Sequence, residues 1–330
     1  MSVGQAIDTQ TSPKLSQVLF REPTRNFATI APLPSNVQAI ESALLFATGM
    51  TPLLALVGPS GWGKSHLLEA SAHRLGMDGG AAPQIWSALE WANFGPRAEC
   101  HGPLILDNAQ DALDSGRAGT NLRIALERRV KASKPTCLSF TSAKPTRQLR
   151  AFLPHSRRWT IAQINAPDPA EKVLVIDQMA SAEGLRLSSI LVKLIAYRMK
   201  GNGRTLSGAL KRLRLSGAVW TEGRQILRGC GVLDCFLTDN SGWDLHERIL
   251  NVARAEEFRD GAFRTSELAA HLMLRVAGLS EDSVAQRLAL PHAEVYALSS
   301  KFERLLTSAE ATRQIERRAI ERILEGLSSD

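Results

Sequence analysis

The sequence predicts an α/β domain, a parallel sheet with flanking helices, that continues into an all-helical carboxyl-terminal region. Three observations carry this. The residues Gly58-Pro59-Ser60-Gly61-Trp62-Gly63-Lys64-Ser65 spell G-x-x-x-x-G-K-S, between an apolar run, Leu53 to Val57, and a helical pattern that opens at His66. Two further apolar segments, Pro103 to Asp107 and Cys137 to Ser142, alternate with a helical pattern carrying Leu122, Ile124, Ala125, Leu126 and Val130, which is the rhythm of βαβ units. Residues 242–330 read as helical throughout and end in an apolar stripe, Ala309, Thr312, Ile315, Ile320, Ile323 and Leu324, of the kind that covers a core.

The first strand and its loop define a phosphate-binding site. Gly58, Gly61 and Gly63 let the backbone curl until successive N–H groups and a helix start converge on phosphate oxygens. Lys64 reaches the terminal phosphates, the Ser65 hydroxyl takes Mg²⁺, and His66 follows on the opening turn of the helix. Trp62 is an unusual bulky residue for such a loop, either a contact for a partner or a side chain lying over the loop. The second strand delivers Asp107 at its carboxyl end, the Walker B position, which holds Mg²⁺ beside ATP or ADP. Its neighbour is Asn108. An amide positions water but takes no proton, so the pair supports nucleotide binding more securely than fast turnover. Asp111 is read as a solvated carboxylate at a helix start. The third strand ends at Thr141 and Ser142, weak candidates for sensing the γ-phosphate. Next come Arg157 and Arg158, ahead of a short apolar strand; they are either solvated charge guarding a sheet edge or an arginine finger turned toward a neighbouring subunit's nucleotide.

Composition sets outer limits. The 330 residues are 44% apolar, enough for about two domains with real cores. No apolar stretch approaches the roughly 20 residues that cross a bilayer, and Met1 to Thr11 lack the segments of a secretory signal, so a cytoplasmic, nucleoid-associated protein without a membrane is expected. Forty Lys and Arg against 33 Asp and Glu give a net charge of +7, a mild pointer to polyanions. Cys100, Cys137, Cys230 and Cys235 read as reduced thiols, since no companion histidines or second cysteine pair supply a zinc pattern.

Between Gly201 and Leu213 the chain runs G-N-G-R-T-L-S-G-A-L-K-R-L, preceded by Pro167-Asp168-Pro169-Ala170-Glu171-Lys172 and a long helical segment. This resembles the lid of the DnaA family of AAA+ replication initiators. The resemblance implies that Arg204 points back at the nucleotide phosphates, that Ser35-Asn36 and the helix after them form the nucleotide entrance, and that Arg157 is the arginine finger. It extends to Arg264–Arg304, which is similar to the family's carboxyl-terminal DNA-binding domain in helix spacing, in the Gly278-Leu279-Ser280 turn and in Val284, Ala285 and Leu288. Helix, turn, short helix and third helix also read directly as a helix-turn-helix, capped at Ser280. Double-stranded DNA is therefore an expected partner, with Arg264, Arg275, Arg287, His292 and Lys301 available to it, or else lying on solvated helix faces.

Departures from the family are informative. Where the family carries D-H-T-T-V, this chain has Pro291-His292-Ala293-Glu294-Val295. Glu294 repels phosphate yet can accept from cytosine N4, which leaves altered sequence preference and lost DNA binding both open. The interval from Lys64 to Asp107 is short for an initiator, with little room for the extra helix that grips single-stranded DNA. In this and in Asp107-Asn108 the chain looks more like Hda, the paralogue that promotes ATP hydrolysis on DnaA. Hda-like proteins begin with a peptide that docks in the sliding clamp, and Leu15-Ser16-Gln17-Val18-Leu19-Phe20 stands in that place, with Gln17, Leu19 and Phe20 as its anchors or as packing for the chain's own core.

The expected organisation is an extended leader over 1–30, an AAA+ nucleotide domain over 31–165, a helical lid and linker over 166–241, and a DnaA-like helical domain over 242–330. The expected function is regulation of replication initiation, or of DnaA-dependent transcription, by an ATP-binding protein of weak or partner-stimulated ATPase. Its expected contacts are DNA, DnaA, a sliding clamp and nucleotide-dependent copies of itself. The alternatives are an initiator for a phage, plasmid or integrated element, and a non-catalytic adaptor that binds nucleotide to fix its shape.

Overall fold

The computed structural model describes residues 25–77, 83–94, 102–113, 115–142, 147–237, 243–260 and 263–329. Gln17, Leu19 and Phe20, the expected clamp-docking anchors, together with Cys100 and the 238–242 boundary, lie outside them.

Five parallel strands form the sheet: β1 (Leu53–Gly58), β2 (Ile85–Ser87), β3 (Leu104–Asp107), β4 (Thr136–Thr141) and β5 (Thr160–Gln163), in the order β2-β3-β4-β1-β5. Every residue of β1 is buried, as expected for a central strand covered on both faces. Its side chains divide with period two. Leu54 and Leu56 pack under α1 (Val37–Ala47) and α2 (Lys64–Met77), against Ala43, Phe46, Leu67 and Leu68. Leu53, Ala55 and Val57 pack on the other side. There they meet residues of α3 (Ala88–Phe94), α4 (Ala109–Leu113), α5 (Gly116–Lys131) and α6 (Arg147–Phe152).

Among the described residues, α3 and its seven positions are the one helix between β2 and β3.

Four helices follow: α7 (Pro169–Ala182), α8 (Ser189–Arg198), α9 (Gly203–Ser216) and α10 (Gly223–Leu237). Their turns are tied by a two-stranded parallel ladder, β6 (Arg186–Leu187) with β7 (Val219–Trp220), which the sequence pattern does not signal because two residues are too few for an alternation. Asp168 and Glu171 close a capping box on α7, and Asn202 caps α9 by accepting from the amides of Arg204 and Thr205.

The last five helices are α11 (Leu245–Asp260), α12 (Thr265–His271) with a π-helical continuation Leu272–Val276, α13 (Glu281–Leu288), α14 (His292–Ser308) and α15 (Glu310–Ser329). Ser280 caps α13. The apolar stripe of α15 is buried at Ile315, Ile320, Ile323 and Leu324. The helices on the two sides of residues 238–242 share one core: Leu191, Leu210, Leu227 and Leu233 belong to the same cluster as Leu268, Phe302, Ile320 and Ile323. Helix α10 crosses the turn after the π segment at close range. A Cβ at Gly231 would lie 2.0 Å from the Ala277 carbonyl oxygen.

Candidate nucleotide site

Strand β1 ends at Gly58, and the chain turns through Gly61 (φ 81°) and Gly63 (φ 92°) into α2, in the left-handed region that glycine enters without strain. The Lys64 ammonium donates to the carbonyls of Gly58 (2.9 Å) and Pro59 (2.8 Å), which hold it at the mouth of the loop. Burial pushes its pKa down, the Asp107 carboxylate draws it up, and the charge of Arg204 pushes it down again.

The register Leu106↔Leu138 brings Asp107 beside Ser139. Both carboxylate oxygens are held: Ser65 Oγ donates to Oδ2 at 2.7 Å, while Ser139 Oγ and the Asn108 amide (3.0 Å) donate to Oδ1. Asn108 takes a left-handed conformation (φ 53°), which an asparagine tolerates. Its amide also donates to Ser139 Oγ at 2.9 Å, and its side-chain oxygen accepts from Thr141 Oγ1 at 3.3 Å. Gln110 accepts the Thr141 amide at 3.0 Å, and Asp111 is exposed, its carboxylate accepting from Gln110. A hydroxyl beside a fixed carboxylate, a buried ammonium and two left-handed glycines make a donor set that fits Mg²⁺ and a nucleotide's phosphates, with Ser65 and Asp107 toward the metal and Lys64 toward the phosphates.

Two other segments close on the loop. The first is a strap over residues 25–36. Thr29 Oγ1 and the Asn26 carbonyl oxygen lie 3.1 and 3.0 Å from His66 Nε2, and Arg25 pairs with Glu69 at 2.6 Å. His66 is thus a structural latch on the first turn of α2, and burial lowers its pKa. Ser35, farther along, donates its amide to Glu171 of α7 and accepts from the Asn165 amide, which joins strap, sheet and α7. The second segment is the start of α9, where Asn202 and Gly203 lie against Gly61. Arg204 is exposed and makes no side-chain hydrogen bond or ion pair among the described residues.

No protein-family model matches the chain, and no curated protein matches it either. Solved structures match it in fold. Domain III of the Thermotoga maritima replication initiation protein DnaA superposes with a TM-score of 0.54 at 18% identity, over 66% of this chain and 98% of its own. AMPPCP-bound DnaA from Aquifex aeolicus gives 0.51 at 17% identity, over 92% of this chain and 99% of its own. A DnaA bound to AMPPCP and single-stranded DNA gives 0.50 at 16%, over the same shares. The chain has a DnaA-like AAA+ fold. Identity this low speaks for the fold alone.

Arg157 occupies a distinct place in this AAA+ fold. It stands three residues before β5, whose Leu54↔Thr160 register sets it at the amino-terminal end of the sheet, whereas the phosphate loop leaves the carboxyl-terminal end. The rise of β1 from Leu54 to Gly58 alone is about 13 Å at roughly 3.3 Å per residue. Arg157 is exposed and lines an open surface depression with His155, Ser156 and Arg158. The two arginines differ. Arg158 donates to the Val130 carbonyl (2.7 Å) and to Ser133 Oγ (2.9 Å), so it braces the turn.

Most of the carboxyl-terminal cations are held by carboxylates of their own chain. Arg287 pairs with Asp244 at 2.6 Å and Glu247 at 3.5 Å, Lys301 with the buried Glu267 at 2.6 Å, and His292 Nε2 lies 3.2 Å from Asp282. Arg275 lies over the Tyr296 ring, 4.8 Å from its centroid, and 3.8 Å from Glu303. Arg264 precedes α12, exposed, with its amide donating to Glu267. Glu294 is exposed on the first turn of α14. The structure therefore gathers the loop, Asp107 and Arg204 into one place and leaves Arg157 and the carboxyl-terminal cations apart from it.

Sequence reasoning passes over Ser139. The available signal is a serine flanked by Cys137, Leu138 and Phe140 in a buried strand; a fully buried hydroxyl implies a partner. Both buried cysteines are inert: burial pushes the Cys230 thiol up to about 12 and the Cys137 thiol higher still.

Proposed function

We propose that this chain is a Mg-ATP-binding AAA+ switch that regulates the initiation of DNA replication. The observation that carries the nucleotide part is the meeting of Ser65 with Asp107, of Lys64 with the loop carbonyls, and of an unpartnered Arg204 whose charge reaches Lys64. Arg204 has no carboxylate partner among the described residues and the Asp107 carboxylate draws on Lys64, so the two cations share one counter-charge, to which phosphate adds. Lys64, Ser65 and Asp107 hold Mg-ATP, Arg204 reads its phosphates from the lid, and Arg157 acts on the nucleotide of a second copy. The metal supplies charge neutralisation at the phosphates. Asn108, carrying no second carboxylate, keeps turnover weak or dependent on a partner.

Regulation is favoured over sequence-specific initiation because Arg287, Lys301, His292 and Arg275 are engaged internally and Glu294 faces outward where a reader of DNA meets phosphate. Contacts to duplex DNA, to DnaA and, through Gln17, Leu19 and Phe20, to a sliding clamp belong to the same proposal, as does a cytoplasmic, nucleoid-associated location. The adaptor reading draws on the same ion pairs. Titration of labelled ATP against wild type and Lys64→Ala tests the switch: tight binding by wild type and none by the variant is expected, and equal affinities overturn the assignment. Fluorescence anisotropy against random and DnaA-box duplexes tests the rest. Sequence-blind, salt-sensitive binding supports the regulator, strong preference for one duplex supports an initiator, and no binding leaves the adaptor.

A further inference from the structure

Among the described residues, Trp62 is the partly buried apolar side chain that packs against both the core beneath α1 and α2 and the core shared by the lid and carboxyl-terminal helices. Its surroundings show how that contact is built. A Cβ at Gly203 would stand 3.9 Å from Trp62 Cε3 and 2.4 Å from the Gly61 carbonyl oxygen, and a Cβ at Gly61 would stand 2.5 Å from Asn202 Cγ. The Gly61 carbonyl therefore faces the Gly203 α-carbon at a distance that leaves no room for a side chain there, while the Asn202 side chain lies against Gly61 and the indole edge lies by Gly203. The residue after this knot is Arg204. Its amide is fixed by Asn202 Oδ1 at 3.0 Å, so the direction in which its side chain leaves the helix is set by how the knot is seated.

We propose that Trp62 is a positioning residue: its indole seats the amino-terminal end of α9 on the phosphate loop and thereby aims Arg204 at the nucleotide's terminal phosphates. This rests on the nucleotide reading above and adds to it the reason a bulky residue stands in the loop. The indole supplies apolar contact that opposes the mutual repulsion of Lys64 and Arg204. Bound phosphate removes that repulsion, so contact and charge then act in the same direction. Since the lid core continues into α15, whatever seats α9 also sets the placement of the carboxyl-terminal helices relative to the loop.

A double-mutant cycle on ATP affinity in the presence of Mg²⁺ tests the proposal, using the full chain and the variants Trp62→Ala, Arg204→Ala and the two combined. Trp62→Ala is expected to weaken ATP roughly tenfold, as for one charge-assisted hydrogen bond, and to add no more than about twofold in the Arg204→Ala background. Trp62→Phe is expected to restore affinity to within about threefold of wild type, since an aromatic ring keeps most of the contact. Additive losses in the cycle, or unchanged affinity in Trp62→Ala, overturn the seat while leaving the nucleotide site intact. A wild-type chain that binds no ATP overturns the nucleotide reading and this inference together. Should Trp62→Ala fail to fold, as judged by its circular dichroism, Trp62→Leu takes its place in the cycle with the same outcomes.

Discussion

Asp107 is oriented by Ser65, Ser139 and the Asn108 amide, and the serine on the neighbouring strand is the one whose removal leaves both neighbours in place. Ser139→Ala leaves Oδ1 with a single backbone donor and frees the carboxylate to turn. A lost hydrogen bond to a charged group is worth about 1.5–3 kcal/mol, so Mg-ATP affinity is expected to fall by roughly tenfold or more. Binding of ATP in EDTA is expected to stay near its wild-type value, because the effect passes through the metal. Parallel titrations with and without Mg²⁺ check this. His66 supplies a second prediction at this scale. Its folded-state pKa lies below the unfolded value of about 6.5, so on acidification the unfolded chain takes up the proton first, and stability present above pH 6.5 is lost as pH falls. Half-buried His246 has the same sign. Urea unfolding at pH 7.5 and 5.5 is expected to show the loss, and His66→Asn to diminish it.

Helices owe their placement to contacts between backbones as much as to apolar faces. Gly231 is such a contact, since any Cβ there meets the Ala277 carbonyl oxygen. Gly231→Ala is expected to destabilise the chain by roughly 1–3 kcal/mol, the usual cost of overpacking, which a shift of the urea midpoint at constant slope reports. The helix-turn-helix candidates follow a different logic. Lys301 is drawn to a carboxylate that is 2% exposed, and pulling it toward a DNA phosphate leaves that charge buried without its partner. Each cation that contacts duplex phosphate adds about 0.9 to the slope of log affinity against log salt. Arg264→Ala is therefore expected to lower that slope by about one, and Lys301→Ala to leave it unchanged. Equal changes for the two variants argue that the ion pairs open on DNA.

At the scale of the whole molecule, the phosphate loop and Arg157 sit at opposite ends of the sheet, so one chain cannot bring them together over its own nucleotide. Arg157→Ala is expected to keep ATP affinity within about twofold of wild type. Any hydrolysis measured at concentrations that allow assembly is expected to drop by on the order of 10³-fold, as when an arginine finger is lost. A fall in ATP affinity instead places Arg157 at its own subunit's site.

Strands β1, β3, β4 and β5, the loop from Gly58 to Ser65 and Asp107 were legible in the sequence. Each is fixed by local chemistry: continuous apolar runs for strands covered on both faces, and the conformations glycine allows. Ser139 was not legible because its role comes from the β3–β4 register. The engagement of Lys301 and Arg287 was not, because their partners lie 34 and 43 residues away. The continuity of the lid with the carboxyl-terminal helices, and the place of Trp62 between two cores, were decided by tertiary structure alone. A sequence reports which residues can hold phosphate through local conformation, whereas what faces them across space is set by packing between distant segments, which no spacing in the chain encodes.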